Sequence, residues 1–362
     1  MAECREPVRL GRWQVQFGFA NRCRIIETVG MTDSTDDTQD GSGLKGLGEI
    51  LVTLPAVRAA KKANTLSRVH RRLLAPLDAV SSAEQQLAFQ HTVFCQTSLP
   101  YRNPGDDVRE WKRDQGSVSL LVKAGEARDN VTNEWTKLGL PWGTKPRLIL
   151  AHLNAEALRQ GSATIEVESS LSAFVKRVRG FDGGREIRAF KDQLTRLSNA
   201  TIRLATTGTD RSFQINTQIV TAFDLWLEKD ERQRVLWPST IKLSMDYFAS
   251  LQEHAVPLYE EDLAALAHSA MALDIYAWLA QRLHRVTPTR PAFIPWASLR
   301  AQFGPEYDRM PDFKRFFRKA LRQVLTRYDR ARLDLDDRGM TLHNSLPPVT
   351  RRSIMIMSKP GT

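Results

Sequence analysis

Residues 311–332 read PDFKRFFRKALRQVLTRYDRAR, and a single helix over this stretch carries two different surfaces. At 100° per residue, Phe313, Phe316, Phe317, Ala320, Leu321, Val324, Leu325 and Tyr328 fall on one stripe. Arg315, Arg318, Lys319 and Arg322 fall on the opposite side, with no acid among them. Such a helix can bury its aromatic stripe and still present a dense positive face. The residues that follow, ARLDLDDRGMTLHN (331–344), read as a strand, a tight Asp-Arg-Gly turn and a second strand. A helix and then a hairpin, with cations on the free helix face, is the layout of the recognition helix and wing of a DNA-binding winged helix. The plainer alternative is a solvated amphipathic helix. The hairpin and the uniform sign of the charge weigh against it.

Working outward, the 362-residue chain carries 52 Lys and Arg against 41 Asp and Glu, a formal charge of +11. Its 42 % hydrophobic content supports real cores, and its length suits two or three domains. A folded protein with such an excess of cations implies a polyanionic partner, of which nucleic acid is the commonest. A membrane surface is the rival. No apolar run approaches the ~18–20 residues of a spanning helix, and no continuous apolar core marks a secretory signal. Three widely spaced cysteines, Cys4, Cys23 and Cys95, suit a reducing cytoplasm and offer neither a disulfide framework nor a zinc pattern.

The order of elements predicts an α+β protein built of tandem winged-helix domains behind a disordered N-terminal extension. Residues 1–65 form that extension. MTDSTDDTQDGSG (31–43) is too acidic and polar to fold, and Met31 is an alternative start to Met1. GSGLKGLGE (41–49) lacks the Lys-Ser/Thr of a phosphate loop and reads as a linker. The first winged-helix domain is expected over 66–237, with an apolar surface between 81 and 175 as a possible dimer interface. SSAEQQLAF opens like a capped helix, and TVFCQTSLPYR and GSVSLLVKAG alternate like strands. PRLILAHLNAEALRQG (146–161) is a helix with proline at its start and glycine at its end. TIEVESS, SLSAFVKRVRG, GGREIRAFKDQLTRLSNA and the hairpin TIRLATTGTDRSFQINTQIV complete the unit. LWPSTIKLSMDYFASLQEHAVPL supplies a joining strand and helix. The same order recurs over 238–348 and ends in the 311–328 helix and its hairpin, before a flexible tail, 349–362.

In the first unit, Ile187, Phe190, Leu194 and Leu197 share a stripe, while Arg185, Arg188 and Arg196 face away from it. Asp192 dilutes that field, so this helix is expected to grip backbone more than read bases. Chemistry for catalysis is missing. An origin-nicking enzyme needs paired histidines for a metal and a nucleophilic tyrosine. Here His70, His91, His152, His254, His268, His284 and His343 include no two that are two to four apart. Glu260, Glu261 and Asp262 fit the first turn of a helix, where its dipole favours acids. Glu166 and Glu168 alternate on a strand that faces water. No ATP site is visible, and the expectation is a protein that is not an enzyme and needs no cofactor or metal.

From about Ser81 to Pro348 the chain resembles the RepA-type plasmid replication initiators of bacteria. The resemblance is carried by VFCQTSLPYR, SLLVKAG, GLPWGTKPRLILAHLNAEAL, SSLSAFVKRV, GGREIRAFKDQLTRLSNATI, ALDIYAWLAQRLHRV, FIPWASLRAQFG and DFKRFFRKALRQVLTRYDRARLDLDDRG, in that order. It implies a cytoplasmic protein that recognises repeated sites (iterons) in double-stranded plasmid origin DNA. It further implies a role in opening the duplex, in recruiting host DnaA and the replicative helicase, and in plasmid copy control. Dimers repressing their own gene and monomers loading on the repeats are part of the same implication. By the resemblance, base readout falls on Lys314, Arg315, Arg318, Lys319 and Arg322. Arg185, Arg188, Lys191 and Arg196 would contact an adjacent groove or phosphates. A winged-helix transcriptional repressor or partition protein would use the same helices and the same cations, and remains the alternative reading.

Overall fold

The structure is a computed structural model that describes residues 14–18, 22–26, 86–128, 133–166, 175–176, 184–207, 212–223 and 240–349. The acidic segment 31–43, the linker 41–49, the capped helix start at Ser81, most of SLSAFVKRVRG, the Gly208 turn and the tail beyond 349 lie outside the described residues. Within the N-terminal extension, β1 (Gln14–Gly18) and β2 (Arg22–Ile26) pair antiparallel where composition predicts no structure. Their apolar and polar residues alternate, which is the pattern a two-stranded ribbon needs.

Helices and antiparallel strands alternate through the rest. The helix predicted over SSAEQQLAF is in its described part a strand, β3 (Leu87–His91), and the strand predicted over TVFCQ is a helix, α1 (Thr92–Gln96). The reason is tertiary. β3 pairs residue for residue with Ala255–Tyr259, from His91↔Ala255 to Leu87↔Tyr259, and that partner is remote in sequence. At the junction the Val93 N–H donates to His91 Nδ1 at 3.2 Å, so the imidazole caps α1. Burial lowers the His91 pKa to about 3, with nearby His254 adding to the effect. The ring therefore stays neutral, with its other nitrogen 3.0 Å from Ser250 Oγ.

β4 (Glu110–Gln115) and β5 (Val118–Lys123) form a hairpin, followed by a smaller one of β6 (Glu126–Arg128) and β7 (Trp135–Lys137). α2 (Thr144–Gln160) takes Pro146 in its first turn and stops at Gly161, whose φ of 63° is the left-handed conformation glycine favours. After β8 (Thr164–Glu166) come α3 (Gly184–Asn199), β9 (Thr201–Thr207), β10 (Ser212–Gln218) and β11 (Val220–Phe223). The main sheet of this half runs β10-β9-β5-β4. β12 (Thr240–Leu243) sits between β11 and β8, and leads into α4 (Met245–His254) and β13 (Ala255–Tyr259), the partner of β3.

The remaining elements are α5 (Glu260–Leu266), α6 (Ala270–Arg282), β14 (Ala292–Pro295), α7 (Trp296–Phe303), α8 (Met310–Leu325), β15 (Leu333–Leu335) and β16 (Gly339–Leu342). Their strands form a three-stranded sheet, β14-β16-β15. Gly339 is required where β16 meets β14, because a Cβ there would lie 2.2 Å from the Ile294 carbonyl oxygen. One continuous apolar core runs through both halves, from Leu120 and Ile202 on the first sheet to Phe313 and Phe317 on α8. Across the expected boundary at 237, Arg147 of α2 meets Asp274 of α6 in a buried bidentate pair, at 2.7 and 2.8 Å. The remaining Arg147 protons go to the carbonyls of Leu99, Gly143 and Pro100, at 2.8, 2.6 and 3.4 Å.

Candidate nucleic-acid interface

Hydrophobic spacing determines which way α8 faces. Phe313, Phe317, Ala320, Leu321 and Val324 are buried, as is Tyr328 just beyond the helix. Phe313 and Phe317 meet each other at a tilt and Trp296 edge-on, and Phe317 also packs at a tilt against Phe303. Phe316 departs from the expected stripe and is 38 % exposed. It points about 90° away from the centre of the stripe, as does half-buried Leu325, at 3.6 residues per turn. Tyr307 and the Arg315 guanidinium flank the Phe316 ring, at 5.6 and 4.9 Å between centres.

The cations of α8 divide into two groups. Arg315, Lys319 and Arg322 lie on the side opposite the core and are exposed. Lys314 and Arg318 sit on the flank beside the β15–β16 turn and are half-buried. Lys314 Nζ donates to the Asp337 carbonyl at 2.9 Å, and Arg318 Nη2 lies 3.7 Å from Asp337 Oδ1. Both cations lie over the Trp296 ring, 5.1 and 5.3 Å from its centroid. Met310, Pro311, Lys314, Arg315, Arg318 and Arg322 line one open groove. The face is not free of acids, as its own sequence suggested. Asp312 pairs with Arg315 at 3.2 Å, and the turn brings in Asp337.

The turn itself is tightly built. Asp336 Oδ1 accepts the N–H groups of Arg338 and Gly339, each at 2.8 Å, which holds its carboxyl below the usual range. The Trp296 indole donates to the Asp336 carbonyl at 2.9 Å, and the Trp296 N–H donates to the Arg338 carbonyl at 3.1 Å. Trp296 thus ties helix face and turn together, a role that spacing does not reveal. Its place between a strand and a helix was the only available hint.

On α3, Phe190, Leu194 and Leu197 are buried and Ile187 is half-buried, as the stripe predicts. Arg185, Arg188 and Lys191 are exposed at three-residue intervals along one side. Arg196 is placed differently. Its Nε meets Asp192 Oδ1 at 3.0 Å and its Nη1 meets Asp106 Oδ1 at 3.0 Å, with the side chain 14 % exposed. Two carboxylates occupy this guanidinium, so it braces α3 against the loop before β4 and offers little to a phosphate.

The acids at the start of α5 do more than answer a helix dipole. Asp262 is buried, accepting from Arg327 Nε at 2.6 Å and from the Tyr276 hydroxyl at 2.7 Å. Burial raises its carboxyl above the ordinary range against the pull of Arg327. This pair anchors the chain just past α8 to α5 and α6. His268 and His284 each lie close to a backbone carbonyl, of Ala265 at 3.1 Å and Ala280 at 3.0 Å, and burial lowers His284 to about 4. Among the described residues no cluster of three or more His, Cys, Asp or Glu could hold a metal, and no helix is long and apolar enough to cross a membrane.

Against known proteins, residues 140–297 match the family described as plasmid encoded RepA protein. The matched segment runs from just before α2 to the start of α7 and stops short of α8. No curated protein matches the chain. Two crystal structures of domains 2 and 3 of RctB overlay loosely on this chain, each at 10 % sequence identity. One has a TM-score of 0.46 and covers 72 % of this chain and 97 % of that one. The other has a TM-score of 0.41 and covers 64 % and 82 %.

Proposed function

We propose that this chain is a RepA-type replication initiator that binds double-stranded plasmid origin DNA at repeated sites. The observation that carries the reading is α8, whose cations stand on the outer face and flank while the Phe313 and Phe317 rings are buried in the core behind them. In this reading each half is a winged-helix unit, with β9 and β10 the wing of the first and β15 and β16 that of the second. α8 enters the major groove, where an arginine fork can donate to guanine O6 and N7 and give about 1–3 kcal/mol of discrimination. Arg318, held over Trp296, is the best oriented for this. Lys319 and Arg322 reach phosphates or neighbouring bases, and the exposed Arg185, Arg188 and Lys191 of α3 grip backbone.

Two units along one duplex cover about two helical turns, which suits a site longer than one module reads. The protein acts by binding, with no catalytic centre of its own. Bound to the repeats it helps open the duplex and recruits host DnaA and helicase, while dimers occupy the promoter of its own gene. Footprinting on the DNA flanking the gene tests the reading. A ladder of evenly spaced protected segments beside an AT-rich tract is expected. A single protected inverted repeat at a promoter would instead make the protein a repressor, and no protection at all would remove the DNA reading.

A further inference from the structure

Asp337 is an acid set in the middle of a cationic surface. It is fully exposed, yet its carbonyl accepts from Lys314 at 2.9 Å and its Oδ1 lies 3.7 Å from Arg318 Nη2. Its carboxylate is not what closes the turn. Asp336 does that, through its Oδ1 bonds to the N–H groups of Arg338 and Gly339. The Arg318 guanidinium has the Trp296 indole on one side, at 5.3 Å, and the Asp337 carboxylate on another. Together they narrow the directions its fork can point. A carboxylate here also weakens any phosphate contact close by, since like charges repel most where DNA displaces the screening solvent. Lower affinity for any backbone, combined with a fork already aimed, is how a surface gains selectivity at the expense of grip.

We propose that Asp337 is a specificity-determining residue of the DNA interface: it positions the Arg318 fork for a base edge and repels the backbone of misregistered duplexes. This rests on the DNA-binding reading above. The test uses the full chain and its D337N and D337A variants, both of which keep the main-chain carbonyl that Lys314 uses. Each is equilibrated with a duplex pool randomised at its centre, the bound fraction is sequenced, and binding to a fixed random duplex is titrated against salt. Both variants should bind the random duplex about fivefold tighter at physiological salt, with a log–log salt slope steeper by up to about 0.9. The motif they enrich should be weaker than that of the wild type at the positions Arg318 reads. Unchanged affinity and motif would overturn the proposal, and so would tighter random binding with an unaltered motif. Weaker binding to all DNA would also overturn it, because the residue would then only support the fold. If the wild type enriches no motif while its folding is intact, the DNA-binding reading falls first and takes this proposal with it.

Discussion

Arg318 and Lys319 are adjacent in sequence and differ in what holds them, and that difference predicts how each behaves. Arg318 is restrained by Trp296 and Asp337, whereas Lys319 extends into solvent. Arg318→Ala should therefore reduce binding to origin repeats far more than to random duplex. Lys319→Ala should reduce both alike and flatten the salt slope by about one unit, as loss of one phosphate contact does. Gel shifts over a salt series check both, and equal losses on random duplex for the two variants would remove base readout by α8. His91 makes a prediction of another kind. Its pKa is lowered to about 3 by burial, with His254 adding to it, so below pH 6.5 the unfolded chain takes up a proton that the folded chain refuses. The stability this gives is complete above pH 6.5 and is lost as pH falls towards 3. His91→Asn keeps a side-chain cap for α1 without a titrating group. Between pH 7 and pH 4.5 the wild type should lose about 2 kcal/mol more than the variant in urea melts. Equal losses would show that the ring is not held neutral.

At the scale of the element, α8 shows how far a helical wheel can be trusted. The stripe correctly placed Phe313, Phe317, Ala320, Leu321 and Val324 in the core, because period alone fixes the centre of a buried face. Its edges depend on neighbours, and at Phe316 the neighbour is Tyr307, from a loop that leaves the ring partly open. Phe317→Ala should accordingly cost about 3–5 kcal/mol, and Phe316→Ala no more than about 1 kcal/mol, in chemical denaturation. A comparable loss for both would mean that Phe316 is buried after all. α3 follows the same logic for its apolar stripe. Its cations were another matter, since Asp192 was visible one turn before Arg196 but Asp106, some ninety residues away in sequence, was not.

Across the whole molecule, the two halves are joined by the β3–β13 pairing, a shared core and the Arg147–Asp274 pair. Such a junction predicts one cooperative unfolding transition, with far-ultraviolet and tryptophan signals coinciding. Asp274→Ala should destabilise it by about 3–5 kcal/mol, because it leaves Arg147 charged and buried without its partner. Two separated transitions in the wild type would show instead that the junction is weak. A rigid junction also matters for the proposed function, since two modules held at a fixed angle can only read sites with a fixed spacing.

The sequence by itself determined the helices with a strong period, the hairpin after α8, the excess of positive charge and the resemblance to RepA-type initiators. These follow from local spacing and composition, which act over a few residues or over the chain as a whole. Only the tertiary structure decided that LAFQH is a strand and TVFCQ a helix, that Arg196 is bound by carboxylates, and that Asp262 and Asp274 are buried ion-pair partners. It also placed Trp296 and Asp337 around Arg318. Each of those outcomes depends on a residue distant in the chain, and short-range periodicity contains no information about which distant group will arrive.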